Sequence, residues 1–260
     1  MTFSAWPSAV MRVTTAAVPA AGREEWVAMN GRRPAAVLFD MDGTLVDSEK
    51  IWDVALHELA VRAGGALSPA ARRAMIGSSM ATSMRILRDD LGQPDRPEPP
   101  DVAWLTDRVF ALFRQGLVWR PGASELLRAV RAAGLPTALV TSTGRALVEV
   151  ALETIGRANF DAVVCGDEVT RPKPDPEPYR LAAELLGVAI EDCVAIEDSP
   201  TGVASAVASG AAVLAVPAEL ELPSTDGIHL RESLEGVDPA YLARLLTREL
   251  SQSGRRAGPP

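Results

Sequence analysis

A chain of 260 residues, 47% of them hydrophobic, is long enough to bury a sizeable core as one large domain or two modest ones. A formal net charge of -8 leaves no basic surplus to displace counterions from a phosphate backbone, so nucleic acid is not an expected partner. No uninterrupted apolar stretch reaches the ~20 residues of a spanning helix, so no membrane partner is expected, and the expected location is cytoplasmic.

Residues 1–33 are rich in Ala, Thr, Pro and Gly and hold no sustained period, which predicts a disordered N-terminal extension. As a secretory leader this stretch is poor, since Arg12, Thr14 and Thr15 break its apolar residues and Glu24 and Glu25 follow them. The run Ala35-Ala36-Val37-Leu38-Phe39 then has the length and apolarity of a strand buried on both faces of a parallel sheet. It delivers Asp40 and Asp42 into a turn at Gly43, at the strand end where such sheets bind ligands. In extended chain, side chains at i and i+2 leave the same face, so both carboxylates point at one small volume. Their repulsion is relieved by a divalent cation, by a shared proton, or by dividing labour between a nucleophile and a general acid/base. A solvated acidic turn is the plain alternative.

Residues 47–64, 68–75, 79–91 and 102–116 read as helical, with the Pro-rich stretch 94–100 as a surface connection. Roughly 100 residues separate Asp40 from Thr141, whereas a βαβ unit takes roughly 30. Residues 47–118 are therefore predicted to form an inserted helical module, leaving the core directly after the two acids and hanging over them as a lid. A helix at 122–133 follows. Strands at 136–140, 161–165, 193–196 and 211–216 alternate with helices at 145–155, 176–186 and 200–209, which implies a parallel sheet covered on both faces. The fold class is α/β, with a Rossmann-like parallel-sheet core made of residues 34–46 and 119–250, an all-α insert, and a frayed tail at 251–260. Cys165 and Cys193 sit in apolar runs as expected buried thiols, and without a CxxC or Cys/His cluster no zinc site is expected. His57 and His229 are isolated.

Three further strand ends carry polar groups. Thr141-Ser142-Thr143-Gly144-Arg145 offers hydroxyls and helix N-terminal amides where an anion is held, although Ser and Thr are also ordinary helix caps. Lys173 lies between Pro172 and Pro174, which fix its backbone and make it a preorganised point charge suited to a phosphoryl group. Glu197 and Asp198 end another apolar strand, and with Asp40 and Asp42 they make an all-oxygen nest that favours Mg²⁺ over softer metals. Adjacent residues in extended chain point oppositely, which favours Asp198 as a ligand and Glu197 as a ligand or its immediate support.

The stretch Asp40-Met41-Asp42-Gly43-Thr44-Leu45-Val46-Asp47-Ser48, the strand end at Thr141, Lys173-Pro174-Asp175-Pro176 and Glu197-Asp198-Ser199-Pro200-Thr201-Gly202 come in this order, each after an apolar run. Together they resemble the four motifs of the haloacid dehalogenase-like (HAD) phosphatases, over about residues 35–216. The resemblance implies that Asp40 is the nucleophile forming an aspartyl-phosphate, and that Asp42 is the acid/base for leaving group and water. It implies that Thr141 and Lys173 hold the phosphoryl oxygens, with Ser142 and Thr143 beside them. It also implies Mg²⁺ bound by Asp40, the Asp42 backbone carbonyl and Asp198, with Glu197 nearby.

The insert is similar to the helical cap of the phosphoglycolate phosphatase and beta-phosphoglucomutase branch, in which the cap chooses the leaving group. Trp52 and the segment Gly77-Ser78-Ser79-Met80 are expected to face the cleft, with Trp52, Ser78 and Ser79 as substrate-binding residues. Where sequences resembling beta-phosphoglucomutase carry a cap histidine and an arginine for the second phosphate, this chain has Trp52 and Met80, which weakens the phosphomutase alternative. The expectation is a Mg²⁺-dependent phosphatase of a small phosphomonoester, of sugar or polyol type, acting as a monomer. A receiver-like phospho-acceptor and a silent binding protein are the remote alternatives.

Overall fold

The computed structural model describes residues 32–76, 78, 80–217 and 227–253, with only the backbone of 247–253. Strand β1 (Ala36–Phe39) is followed by helices α1 (Glu49–Arg62), α2 (Pro69–Met75), α3 (Met80–Asp90) and α4 (Glu98–Phe113). Then come α5 (Ala123–Ala132), β2 (Thr137–Val140), α6 (Arg145–Ile155), β3 (Ala162–Val164), α7 (Glu177–Leu186), β4 (Cys193–Glu197), α8 (Pro200–Ser209), β5 (Ala212–Ala215), β6 (Ile228–Leu230) and α9 (Pro239–Ser253). The strands form one six-stranded parallel sheet in the order β3-β2-β1-β4-β5-β6.

Alternation along each strand divides the core. Val37 and Phe39 of β1, Leu139 of β2, and Val194 and Ile196 of β4 pack on one face. Ala36 and Leu38, Ala138 and Val140, and Cys193 and Ala195 pack on the other. A sheet apolar on both faces needs helices on both, and the crossovers supply them. The strand order reverses between β1 and β4, the switch point where such sheets open a crevice beyond their carboxyl ends. Asp40 and Asp198 stand there, one residue past each strand.

The chain leaves the core after Val46 and returns at Val118, and the two crossings run side by side. Asp47 N donates to Val118 O (2.8 Å), Arg120 N donates to Leu45 O (2.9 Å), and Val46 bridges Trp119. The stretch 94–100 was expected as a connection, but α4 begins at Glu98 and takes Pro99 and Pro100 into its first turn. Amides there have no intrahelical partner, so proline costs nothing. At the N-terminus, the extension expected at 1–33 lies outside the described residues up to 31. Arg33 is already tied to the core through Nη2, which donates to Ala133 O and Gly134 O, and Arg32 pairs with Asp192. At the other end α9 runs to Ser253, beyond the expected boundary at 250, and 254–260 lie outside the described residues. Both cysteines are buried free thiols. No helix among the described residues is long and apolar enough to cross a membrane.

Candidate active site

Beyond Phe39 the backbone turns back on itself: Leu45 N and Val46 N both donate to Met41 O, and Gly43 N donates to Val46 O. Gly43 has φ +80°, and a Cβ on it would stand 2.1 Å from Asp198 Oδ2, so only glycine allows both the turn and the approach of Asp198. Thr44 Oγ1 donates to Asp198 Oδ1 at 3.2 Å. Asp40, Glu197 and Asp198, all buried, bring carboxylate oxygens within 4.8 Å of one another. Both of the adjacent acids turn inward because β4 ends at Glu197 and Asp198 has already left the strand.

Lys173 is the cation among them. Its Nζ donates to Glu197 Oε1 (2.6 Å), Asp40 Oδ1 (2.8 Å) and Val140 O (2.9 Å), so all three ammonium protons are used. Beneath it lies the fully buried Tyr179, whose ring centroid is 5.1 Å from Nζ and whose hydroxyl donates to Glu197 Oε1 at 2.7 Å. Glu197 Oε2 accepts from Asp198 N. Glu197 is thus held at both oxygens, which leaves Asp40 and Asp198 as the freer donors.

The electrostatics follow from three buried carboxylates sharing one ammonium. Desolvation, aided by Glu197 and Asp42, pushes the Asp40 carboxyl up to about 8 despite Lys173. Asp198 is raised by burial and by Asp40 and Glu197. Burial disfavours the Lys173 ammonium, yet Asp40 and Glu197 outweigh it and raise its pKa above the ordinary lysine value. A nest of buried oxygen donors with surplus negative charge fits a hard divalent cation.

Asp42 faces elsewhere. Its Oδ1 accepts from Ser48 Oγ (2.5 Å), and its Oδ2 accepts from Thr143 Oγ1 (2.7 Å) and Thr141 Oγ1 (3.2 Å). Its carboxylate is therefore outside the acid group expected of four side chains, and turns toward the end of β2 and the first turn of α1. Thr141 Oγ1 also accepts from Thr143 N, which tightens that loop. The α6 N-terminus, expected as part of an anion seat, is already taken in part: Asp167 Oδ1 accepts from Arg145 N at 3.0 Å. The exposed Ser142 remains open to the cleft.

Above these groups lies a cleft of about 300 Å³. Its floor includes Asp40, Asp42, Thr141, Ser142, Thr143, Lys173 and Asp198. Trp52, Leu56, Met75, Ser78, Met80 and Phe110 of the insert line its other side. Trp52 lines the cleft and also packs against the core cluster. Ser78 Oγ bonds Ser83 Oγ at 2.8 Å, while Gly77 and Ser79 lie outside the described residues.

Four residues at this site were not singled out from the sequence. Ser48 and Tyr179 hold Asp42 and Glu197. Glu49 and Arg72, both buried, line the insert side, with Arg72 Nη2 donating to Glu49 Oε2 at 2.6 Å and to Glu49 O at 3.2 Å. Arg72 Nε donates to Asp53. The only signal was an acid at the start of α1 and a basic pair near the end of α2, both equally at home on a solvated face.

A family model of haloacid dehalogenase-like hydrolases matches residues 34–210. Hexitol phosphatase A of Escherichia coli is 35% identical over 194 residues, covering 74% of this chain and 88% of its own. A phosphatase of phosphorylated carbohydrates from Thermotoga maritima is 35% identical over 179 residues, covering 67% of this chain and 81% of its own. Among solved structures, CbbY from Rhodobacter sphaeroides in complex with phosphate aligns with a TM-score of 0.69 at 29% identity, covering 80% of this chain and 99% of that one.

Proposed function

The chain belongs to the haloacid dehalogenase-like hydrolases and is a phosphatase, and from that premise we propose that it hydrolyses a small sugar or polyol phosphate, with Asp40 carrying the phosphoryl group in transit. The observation that carries this reading is the position of Asp40 at the switch point, bonded to Lys173 and facing a cleft large enough for one small metabolite. Two relatives named as phosphatases of hexitols and of phosphorylated carbohydrates support the substrate class.

In the first half-reaction the Asp40 carboxylate attacks phosphorus, the bond to the leaving oxygen breaks, and Asp42 supplies that oxygen's proton. The aspartyl-phosphate is then attacked by water, whose proton passes to Asp42, and inorganic phosphate departs as Asp40 is restored. Lys173 favours the Asp40 carboxylate against the burial that raises its pKa, and lies within reach of the phosphoryl oxygens once Asp40 is esterified. Thr141 and Thr143 spend their hydroxyl protons holding Asp42 on the leaving-group side, and the exposed Ser142 offers its hydroxyl to the phosphoryl group. Mg²⁺, held by Asp40, Asp198 and the Asp42 carbonyl with Glu197 in support, would offset the charge that develops on the phosphoryl oxygens. The insert at 47–118 acts as a cap, excluding bulk water and contacting the leaving group through Trp52 and Ser78. A small phosphorylated metabolite as the partner, a monomeric state and a cytoplasmic location belong to the same proposal.

The test is phosphate release from hexitol and hexose monophosphates with MgCl₂ and with EDTA. Wild type turns over only with Mg²⁺, and Asp40→Asn does not turn over at all. Turnover by Asp40→Asn would overturn its assignment.

A further inference from the structure

Among the described residues the cleft lining holds two cations, Lys173 and Arg72, and both are already engaged. Lys173 spends its three protons on Asp40, Glu197 and Val140 O. Arg72, on the insert side, is 7% exposed and bonded to Glu49 and Asp53. A further seat for an anion is the N-terminus of α6, where Gly144 lines the cleft, and a carboxylate of this chain sits in it: Asp167 Oδ1 accepts from Arg145 N at 3.0 Å. Asp167 is itself on the lining and exposed. Its other oxygen, Oδ2, makes no hydrogen bond among the described residues and lies 3.2 Å from where a Cβ on Gly144 would stand. The Arg145 guanidinium does not pair with it, being bonded to Glu168 (2.6 and 2.8 Å), Glu149 (3.1 Å) and Val163 O (2.9 Å). The charge of Asp167 therefore reaches the cleft with no cation bonded to it.

We propose that Asp167 is a specificity-determining residue of the cleft, turning away substrates whose leaving group carries an anion of its own. A chain of bonds places it for this role, starting from the acid/base. Thr143 Oγ1 donates to Asp42 Oδ2 (2.7 Å), Thr143 O accepts from Gly166 N (3.0 Å), and Asp167, the next residue, closes the loop on Arg145 N. A Cβ on Gly166 would stand 2.1 Å from Ser142 O, so the loops after β2 and β3 lie directly against each other. Asp167 is thus fixed relative to Asp42, on whose side the leaving group must lie. A second phosphate or a carboxylate on that group comes up against Asp167 while both cations of the lining are held by other acids, and like-charge juxtaposition of this kind is how sites reject wrong partners. A neutral, hydroxylated leaving group meets no such repulsion. The inference rests on the phosphatase reading above and narrows its substrate class to monophosphates whose remaining groups are uncharged.

The experiment compares kcat/KM for sorbitol 6-phosphate and 6-phosphogluconate with Mg²⁺ present, two monophosphates of equal chain length that differ in a terminal hydroxymethyl against a carboxylate. Wild type prefers sorbitol 6-phosphate, and the preference shrinks as NaCl rises from about 0.05 to about 0.5 M, because an exposed charge is screened. Asp167→Asn keeps an oxygen to cap Arg145 N but removes the charge. In that variant the preference falls about 3- to 10-fold, the effect of one unit charge about 6 Å away at an effective dielectric constant of about 40–80, and most of its salt dependence goes with it. Asp167→Lys moves the ratio further in the same direction. A merely structural role would lower both substrates together and leave the ratio and its salt dependence as in wild type, and circular dichroism melts identify any variant that fails to fold. An unchanged ratio in folded Asp167→Asn, or a wild type without preference, overturns the proposal while leaving the phosphatase reading standing. A wild type that releases phosphate from neither substrate overturns that reading, and the proposal with it.

Discussion

Lys173→Met removes the ammonium that three buried carboxylates share, while keeping most of the aliphatic stem. The side chain is 3% exposed and makes bonds of 2.6, 2.8 and 2.9 Å to Glu197, Asp40 and Val140. Breaking a buried pair by deleting one partner costs about 3–5 kcal/mol, because the surviving charges are left without compensation. Proton uptake trims that cost here, since Asp40 already reaches about 8 with Lys173 in place. At about 2–4 °C per kcal/mol for a domain of this size, Tm should fall by about 6–20 °C in EDTA. MgCl₂ should recover part of the loss, because the carboxylates that lost an ammonium gain a cation. Activity should fall further than stability implies, by about 10²–10³ in kcat, the usual loss of one preorganised donor at the reacting group. Differential scanning fluorimetry with and without MgCl₂, alongside phosphate release on folded enzyme, measures all three. A Tm within experimental error of wild type and kcat within a fewfold would refute the reasoning that Lys173 balances these acids.

The remaining predictions concern its neighbours. Asp40 is raised from 3.8 to about 8 in the fold, so between these values the native state binds more protons than the unfolded one. Cation-free stability should therefore decline as pH rises from about 4 to about 8, and the Tm gain on adding MgCl₂ should be larger at pH ~8.5 than at pH ~6. A gain that is flat with pH would contradict this. Ser48→Ala removes the 2.5 Å bond that ties Asp42 to the start of α1, and kcat should drop about 3- to 30-fold with little change in Tm. Equal kcat in the variant would show that Asp42 needs no such support. In Gly202→Ala the new Cβ would stand 2.0 Å from Glu197 Oε1 and displace the carboxylate that steadies Lys173, so Mg²⁺ affinity and kcat should both fall while the helix itself tolerates alanine. Isothermal titration of MgCl₂ checks this, and an unaltered affinity would sink it.

What the sequence made legible was set by period and position. Asp40, Thr141 and Asp198 each follow an apolar run of strand length, and a parallel sheet carries such ends to one edge, so their convergence followed from alternation and crossover rules alone. Helix α6 begins at Arg145 and ends at Ile155 as expected, because Gly144 and Gly156 bracket an unbroken helical pattern. Pairings that cross between elements left no periodic trace. Glu49 meets Arg72 across 23 positions, Asp167 caps α6 across 22, and Tyr179 reaches Glu197 across 18. Each is decided by how two elements pack. Strand β6 has three residues and partly exposed side chains, too short for alternation to register. Helix α9 did carry a signal, with Asp238 capping Tyr241 N ahead of Pro239 and with Leu242, Leu245 and Leu246 buried at helical spacing.

The central claim is that Asp40 carries the phosphoryl group and Asp42 handles the protons. With p-nitrophenyl phosphate the leaving group needs no acid, so Asp42→Asn should still form the phosphoenzyme but lack the base that activates water for its hydrolysis. Rapid quench and peptide mass spectrometry of that variant should show a stoichiometric p-nitrophenolate burst, then a stall, with one phosphoryl group on the peptide holding Asp40. Steady turnover without a burst, or a phosphoryl group found on any other residue, would contradict the account.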